Sequence, residues 1–226
     1  VSSSALKTSP ATDQSLASGA APISRNPAKT RSAILVAATA EFAQYGLGGA
    51  RIDQIAARSG SNKRLIYYYF GNKDALFLAV LEQAYASIRS AEQALHLDEL
   101  DPLQAIRALI EFTWEYYIAH PEFLTLLNSE NLHRAAHLKT LPRIRELNSP
   151  LVEMIDSVLE RGRRDGVFRA GVDPVQLYIS IAALAYFYLS NSSTLSTIFG
   201  RDLMSRKAKA DRLAHMTALV HGYLML

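Results

Sequence analysis

From Thr30 onward, apolar residues recur every three or four positions, the spacing of one face of a helix. Ile34, Ala37, Ala38, Phe42 and Tyr45 form the first such face, with Thr30 as its predicted cap. Gly46, Gly48 and Gly49 are placed to end it. A short second helix follows, with Ile52, Ile55 and Ala56 inward, and stops near Ser59-Gly60. Asn62 is positioned to cap a third, from Lys63 to about Phe70. Three short helices, the last two joined by a tight Gly-containing turn, predict a helix-turn-helix.

Helical spacing persists to the end of the chain. Candidate helices lie near 73–96, 102–119, 122–138, 141–164, 173–199 and 203–226, punctuated by Pro102, Pro121, Pro142, Gly166, Gly171 and Pro174. No segment alternates with period two. The expected fold class is therefore all-α: a three-helix helix-turn-helix domain over 29–76, then a larger helical domain over 77–226. Residues 1–28 are rich in Ser, Ala and Thr, with Pro10, Pro22 and Pro27. They bury too little apolar surface to offset ordering entropy and read as a disordered tail. Lys7 precedes no continuous apolar run, so a secretory leader is not expected. Arg25 and Lys29, at the tail's end, could reach a nucleic-acid backbone or simply be solvated.

Composition narrows the function classes. The 226 residues are 49% hydrophobic, enough for a real core. There is no cysteine, which excludes disulfides, thiolate metal sites and thiol nucleophiles and suits a cytoplasmic protein. No uncharged run reaches the ~20 residues that a membrane-spanning helix needs. The longest, Val175 to Leu189, contains Gln176 and Ser180. Net charge is only +3, but residues 1–76 carry nine Lys/Arg against four Asp/Glu, whereas 77–226 carry fifteen against seventeen. A basic front on a nearly neutral body suits an end that meets a polyanion, although uneven surface charge alone would look the same.

The stretch SGSNKRLIYYYFGNKDAL, Ser59 to Leu76, concentrates that charge. Cations in a helix's first turn oppose its macrodipole, so a helix built only for stability would carry Asp or Glu there. Lys63 and Arg64 make sense if the partner is negative. In a helix-turn-helix the second helix enters the major groove, its N-terminal residues meeting base edges. Tyr67 and Tyr68, one turn on, could hydrogen-bond phosphates, and Leu65 could touch a thymine methyl. Ile66 and Phe70 are placed to pack inward. The plainer alternative is a basic surface helix whose tyrosines cover a small core.

The run Ile34…Ala38…Phe42…Gly46…Ile52…Ile55-Ala56…Gly60…Tyr67-Tyr68-Tyr69-Phe70…Lys73-Asp74-Ala75-Leu76 resembles the DNA-binding domain of TetR-family transcription regulators. In that family the pattern ends in an aromatic-Phe pair, two residues, then Lys-Glu/Asp-x-Leu; the match covers about residues 30–80. The resemblance implies that Lys63, Arg64, Leu65 and Tyr68 face the groove, with Asn62 at the cap. It implies that Tyr67, Lys73 and Arg51 hold backbone phosphates. Ala50 stands where Thr is usual, Ser61-Asn62 where Val-Ser is usual, and Arg64-Leu65 where a small pair is common. An operator sequence therefore does not carry over. The resemblance further implies a non-enzymatic repressor, a homodimer on a palindromic double-stranded operator, released by an unidentified small-molecule effector without cofactor or metal.

The body is less explicit. Val175–Leu189 is apolar on nearly every face, which suits a helix shared between its own core and a partner subunit. Leu213, Met216, Leu219, Val220, Tyr223 and Leu224 read as one stripe, so two helices per subunit could form a four-helix interface. For an effector, Trp114, Tyr117, Phe123, Asn128, Asn131 and His133 are candidates, being aromatic or polar groups inside apolar helices, though each could be plain core. Arg161 to Gly166, RGRRDG, reads as a helix C-terminus, where cations favour the dipole. Two alternatives remain open: a metal-dependent hydrolase using Glu130, His133 and His137, and a constitutive regulator whose body only dimerises.

Overall fold

Asn26 opens the first helix: its side chain accepts a hydrogen bond from the Lys29 backbone N–H at 3.0 Å, and Pro27 takes the first helical position. The expected cap, Thr30, instead lies one turn inside, where its hydroxyl donates to the Asn26 carbonyl at 3.2 Å. The computed structural model describes residues 26–141 and 143–225. The expected tail and Arg25 thus lie outside the described residues, except positions 26–28, which belong to the helix start.

Helix α1 (Pro27–Gly49) kinks at Gly46, whose φ of 64° suits a residue without Cβ. Then come α2 (Ile52–Ser59), α3 (Lys63–Phe70), α4 (Lys73–Gln93), α5 (Pro102–Ala119) and α6 (Pro121–Leu132). A short 3₁₀ turn (Leu138–Thr140) leads to α7 (Ile144–Arg164), α8 (Pro174–Ser190), α9 (Ser192–Phe199) and α10 (Arg206–Leu224). Side-chain caps from Asn62, Asn72, Asp101, Asp173 and Ser205 set the starts of α3, α4, α5, α8 and α10. The chain is all-α.

Three expected elements differ. The helix expected over 122–138 ends at Leu132, because Arg134 and Ala135 turn to positive φ. The one expected over 173–199 breaks at Asn191, whose side chain donates to the Phe187 carbonyl at 2.9 Å as a Ser-Ser-Thr run begins. The C-terminal stripe divides in two: Met216, Val220 and Leu224 are buried, whereas Leu219 and Tyr223 are about half exposed on another side of α10.

Two cores result. The first is built on Ile34, Phe42, Ile55, Ile66, Phe70, Phe77 and Leu81, with Phe42 and Phe77 edge to face at 5.1 Å. The second joins α4, α5, α6, α7, α8 and α10 around Ile106, Leu109, Trp114, Ile155, Phe168 and Ile181. The expected boundary after residue 76 falls inside α4, which serves both cores: Leu76 to Leu81 pack in the first, Ile88 in the second. Leu126 of α6 also enters the first core, so the body reaches the head through α6. At the end of α7, Gly162 leaves room for Phe168; a Cβ there would sit 2.0 Å from the Phe168 ring.

Candidate functional site

Glycine and two asparagines shape the head. Gly60 ends α2 in the left-handed region (φ 63°), reversing the chain within three residues. Asn62 then accepts from the Leu65 N–H at 2.9 Å, fixing the first turn of α3. Asn72 does the same for α4, accepting from the Ala75 N–H at 2.8 Å. With only eight residues, α3 holds its place by burial of Ile66 and Phe70. The Arg31 guanidinium lies over the Phe70 ring, 5.1 Å from its centre.

The opposite face of α3 is open. Lys63 and Arg64 are exposed, Tyr67 is about half exposed and Tyr68 is 77% exposed; Leu65 is partly covered. Tyr68 rests edge to face on Tyr69 at 5.3 Å. A buried aromatic–aliphatic side and a side of cations and phenols thus meet on one short helix. Lys63 is already engaged, its Nζ 2.5 Å from Asp53 of α2. Lys73 reaches back to the Gly48 carbonyl at 3.4 Å, at the end of α1.

Arg51 has an exposed side chain, and its backbone N–H donates to Glu41 Oε1 at 3.1 Å. Glu41 is buried on α1, with Arg58 of α2 3.7 Å from its other oxygen. This carboxylate ties α2 to α1 and occupies the N-terminus of a helix that has no side-chain cap of its own. Sequence reasoning missed Glu41, since a lone acid among apolar helical positions gives no sign of its partners.

The proposed effector residues divide between the core and the surface. Trp114, Tyr117 and Phe123 are packed into the second core. Asn128 is partly buried and accepts a hydrogen bond from the Tyr186 hydroxyl. Asn131 and His133 are exposed, the latter because α6 ends just before it. A cleft of about 380 Å³ lies between α1, α4, α5 and α6, bordered by Val36, Val80, Gln83, Tyr116, His120 and Phe123. Of the six candidates, only Phe123 borders it.

The hydrolytic alternative has no donor set. The Glu130 carboxylate accepts from the backbone N–H groups of His137 and Leu138, both at 2.9 Å, and lies 2.7 Å from His137 Nδ1. His133 Nδ1 sits 2.7 Å from the Ser129 carbonyl. Glu130 therefore closes the turn after α6. Among the described residues, no group of three or more His, Cys, Asp or Glu is arranged to hold a metal ion. Nor is any helix among them long and apolar enough to cross a membrane.

A helix-turn-helix with a basic reading face, carried by a larger helical body, defines a DNA-binding transcription regulator. Residues 34–80 match the family model of bacterial regulatory proteins of the tetR family, and residues 102–220 match the tetracyclin repressor-like C-terminal domain. The chain is 44% identical to the HTH-type transcriptional repressor NicS of Pseudomonas putida over 191 residues, covering 84% of this chain and 90% of that protein. It is 35% identical to the transcriptional repressor SCO4008 of Streptomyces coelicolor over 161 residues, covering 71% and 79%. In fold it is similar to the crystal structure of the transcriptional regulator SCO4942 of Streptomyces coelicolor, with a TM-score of 0.65, 24% identity and coverage of 86% and 98%. The chain belongs to the TetR family, whose members are DNA-binding regulators and not enzymes. Regulators of this family bind DNA operators and usually act as dimers with small-molecule effectors.

Proposed function

We propose that the chain is a cytoplasmic, ligand-released repressor that binds a palindromic operator as a homodimer, with residues 29–76 as its reading head. The observation that carries this reading is the two-sided α3: Ile66 and Phe70 anchor it, while Lys63, Arg64, Tyr67 and Tyr68 are solvent-exposed. In this reading Lys63, Arg64, Leu65 and Tyr68 meet base edges. Arg51, Tyr67 and Lys73 hold phosphates, and Asn62 sets the helix that presents them. The names of NicS and SCO4008 as repressors support repression rather than activation.

Dimerisation is supported by α8 and α10. Val175, Ile179, Phe187, Leu219 and Tyr223 are 43–59% exposed, although they are large and apolar. Such a face suits a second copy related by a twofold axis, whose two heads would then match two half-sites. An effector bound in the body shifts the equilibrium only by its differential affinity for the two head spacings. Sedimentation with and without operator DNA tests the reading: two protomers per operator are expected, and a monomer at micromolar concentration contradicts it.

A further inference from the structure

Four helices of the body enclose a charged pair that no DNA contact uses. Arg89 of α4 is 5% exposed and Glu92, one turn on, is 1% exposed. Arg89 Nη2 donates to the Tyr178 hydroxyl of α8 at 2.7 Å, and the guanidinium lies over the Tyr178 ring at 5.2 Å. Arg89 Nε stands 3.0 Å from Glu92 Oε2, but not along its N–H direction, so the contact is one of charge without a formed hydrogen bond. Arg89 Nη1 and both Glu92 oxygens find no hydrogen-bond partner among the described residues. A buried ion pair costs several kcal/mol of desolvation per ion unless its remaining donors and acceptors are filled. The chain's own described groups do not fill these.

The surroundings define what would fill them. Burial raises the Tyr117, Tyr178 and Tyr85 phenols above the ordinary range, so all three are neutral near pH 7. Phe123 stacks on Tyr117 at 5.8 Å and meets Tyr85 at 5.7 Å. Tyr116 meets Phe123 edge to face at 6.1 Å and borders the 380 Å³ cleft. Phe123 thus belongs both to this aromatic group and to the border of the cleft. Burial pushes the Glu92 carboxyl up to about 7, with Arg89 opposing, so Glu92 can take a proton near neutrality and leave Arg89 as the one charge. One cation among aromatic rings suits a single negative charge on a mostly apolar molecule better than a phosphate dianion.

We propose that Arg89 is the anchor of the effector site and that the effector is a small organic monocarboxylate, its carboxylate on Arg89 Nη1 and its apolar body among Tyr85, Tyr117, Tyr178 and Phe123. This rests on the reading of the chain as a ligand-responsive regulator. Entry is from the cleft, past Phe123 and Tyr116. Because Phe123 opens α6, whose Leu126 and Ser129 pack against the head, the occupant pushes on the helix that joins body to head.

The test titrates the full chain with benzoate, phenylacetate and straight-chain carboxylates of four to about ten carbons, each beside its neutral amide. Thermal stability and operator release are both read. At least one carboxylate is expected to raise Tm and release operator DNA where its amide does neither. Arg89→Gln/Glu92→Gln, which removes both charges and so avoids an unpaired buried carboxylate, is expected to lose on the order of a hundredfold in carboxylate affinity while circular dichroism shows it folded. The inference is overturned if acids and amides act alike, if no carboxylate in the series acts, or if the double variant responds like the parent. Operator binding by the parent that only neutral compounds relieve would overturn the carboxylate assignment and leave the regulator reading standing. Failure of the parent to bind any operator would overturn that reading itself.

Discussion

The hydroxyl of Ser129 accepts a hydrogen bond from the backbone N–H of Leu47 at 3.3 Å. It joins the last turn of α6 to the end of α1, just past the Gly46 kink, across 82 positions of sequence. Leu126 enters the head's core one turn earlier on α6, and the His137 ring meets Phe77 edge to face at 5.1 Å. The body therefore grips the head through α6 and the turn after it. A shift of α6 moves α1, and with it the helices that α1 supports.

Ser129→Ala removes that bond and leaves a backbone donor short of a partner. A loss of about 1 kcal/mol of unfolding free energy is expected. Urea denaturation followed by circular dichroism measures it. If α6 carries the effector's signal, the same variant also shows weaker operator release at saturating effector than the parent protein.

Asp53 holds Lys63 at 2.5 Å and places a negative charge on the side of the head proposed to face DNA. Asp53→Asn is expected to tighten binding to all sequences by a few-fold, about 1 kcal/mol at low salt. Fluorescence anisotropy against operator and scrambled duplexes checks it. The gain shrinks as salt is raised, because the charges are exposed and screened.

Legibility in the sequence followed the range of the interaction. The helix-turn-helix was readable because Asn62, Gly60, Ile66 and Phe70 act within one or two turns of themselves, and α3 runs over the residues their spacing predicts. The break at Asn191 was not, since Val175 to Leu189 is apolar on nearly every face and only a polar run marks its end. The expected effector residues were chosen as aromatic and polar groups on the helices expected over 102–138. Trp114 and Tyr117 lie buried in the second core, and Asn131 and His133 lie at a helix end that the expectation placed too late. Arg89 and Glu92 were not singled out in the sequence, because the Tyr178 that Arg89 meets is 89 positions away and an i,i+3 charged pair carries no mark of burial. Charged residues on a helix look alike in sequence whether they meet water or a core.

Glu92 gives stability a defined pH dependence. Its carboxyl is raised from 4.5 to about 7, chiefly by burial, so between those values the folded chain holds a proton that the unfolded chain releases. Stability from this group is therefore highest below pH 4.5 and falls as pH rises, with the full cost present above about 7. The cost is on the order of 3 kcal/mol. Chemical denaturation from about pH 5 to about pH 8 measures the slope, and Glu92→Gln is expected to flatten it. An unchanged slope in the variant would place the titration elsewhere.

The central claim is that the open face of α3 reads sequence. Selection of binding sites from a random duplex pool, run in parallel for the parent, Arg64→Ala and Lys73→Ala, tests it most directly. The parent is expected to enrich an inverted repeat. Arg64→Ala is expected to relax the preference at a few positions in each half-site. Lys73→Ala should keep the motif but bind all sequences more weakly, with the magnitude of its salt slope reduced by about one. Equal losses on selected and random DNA for Arg64→Ala, or enrichment of no repeat by the parent, would contradict the account.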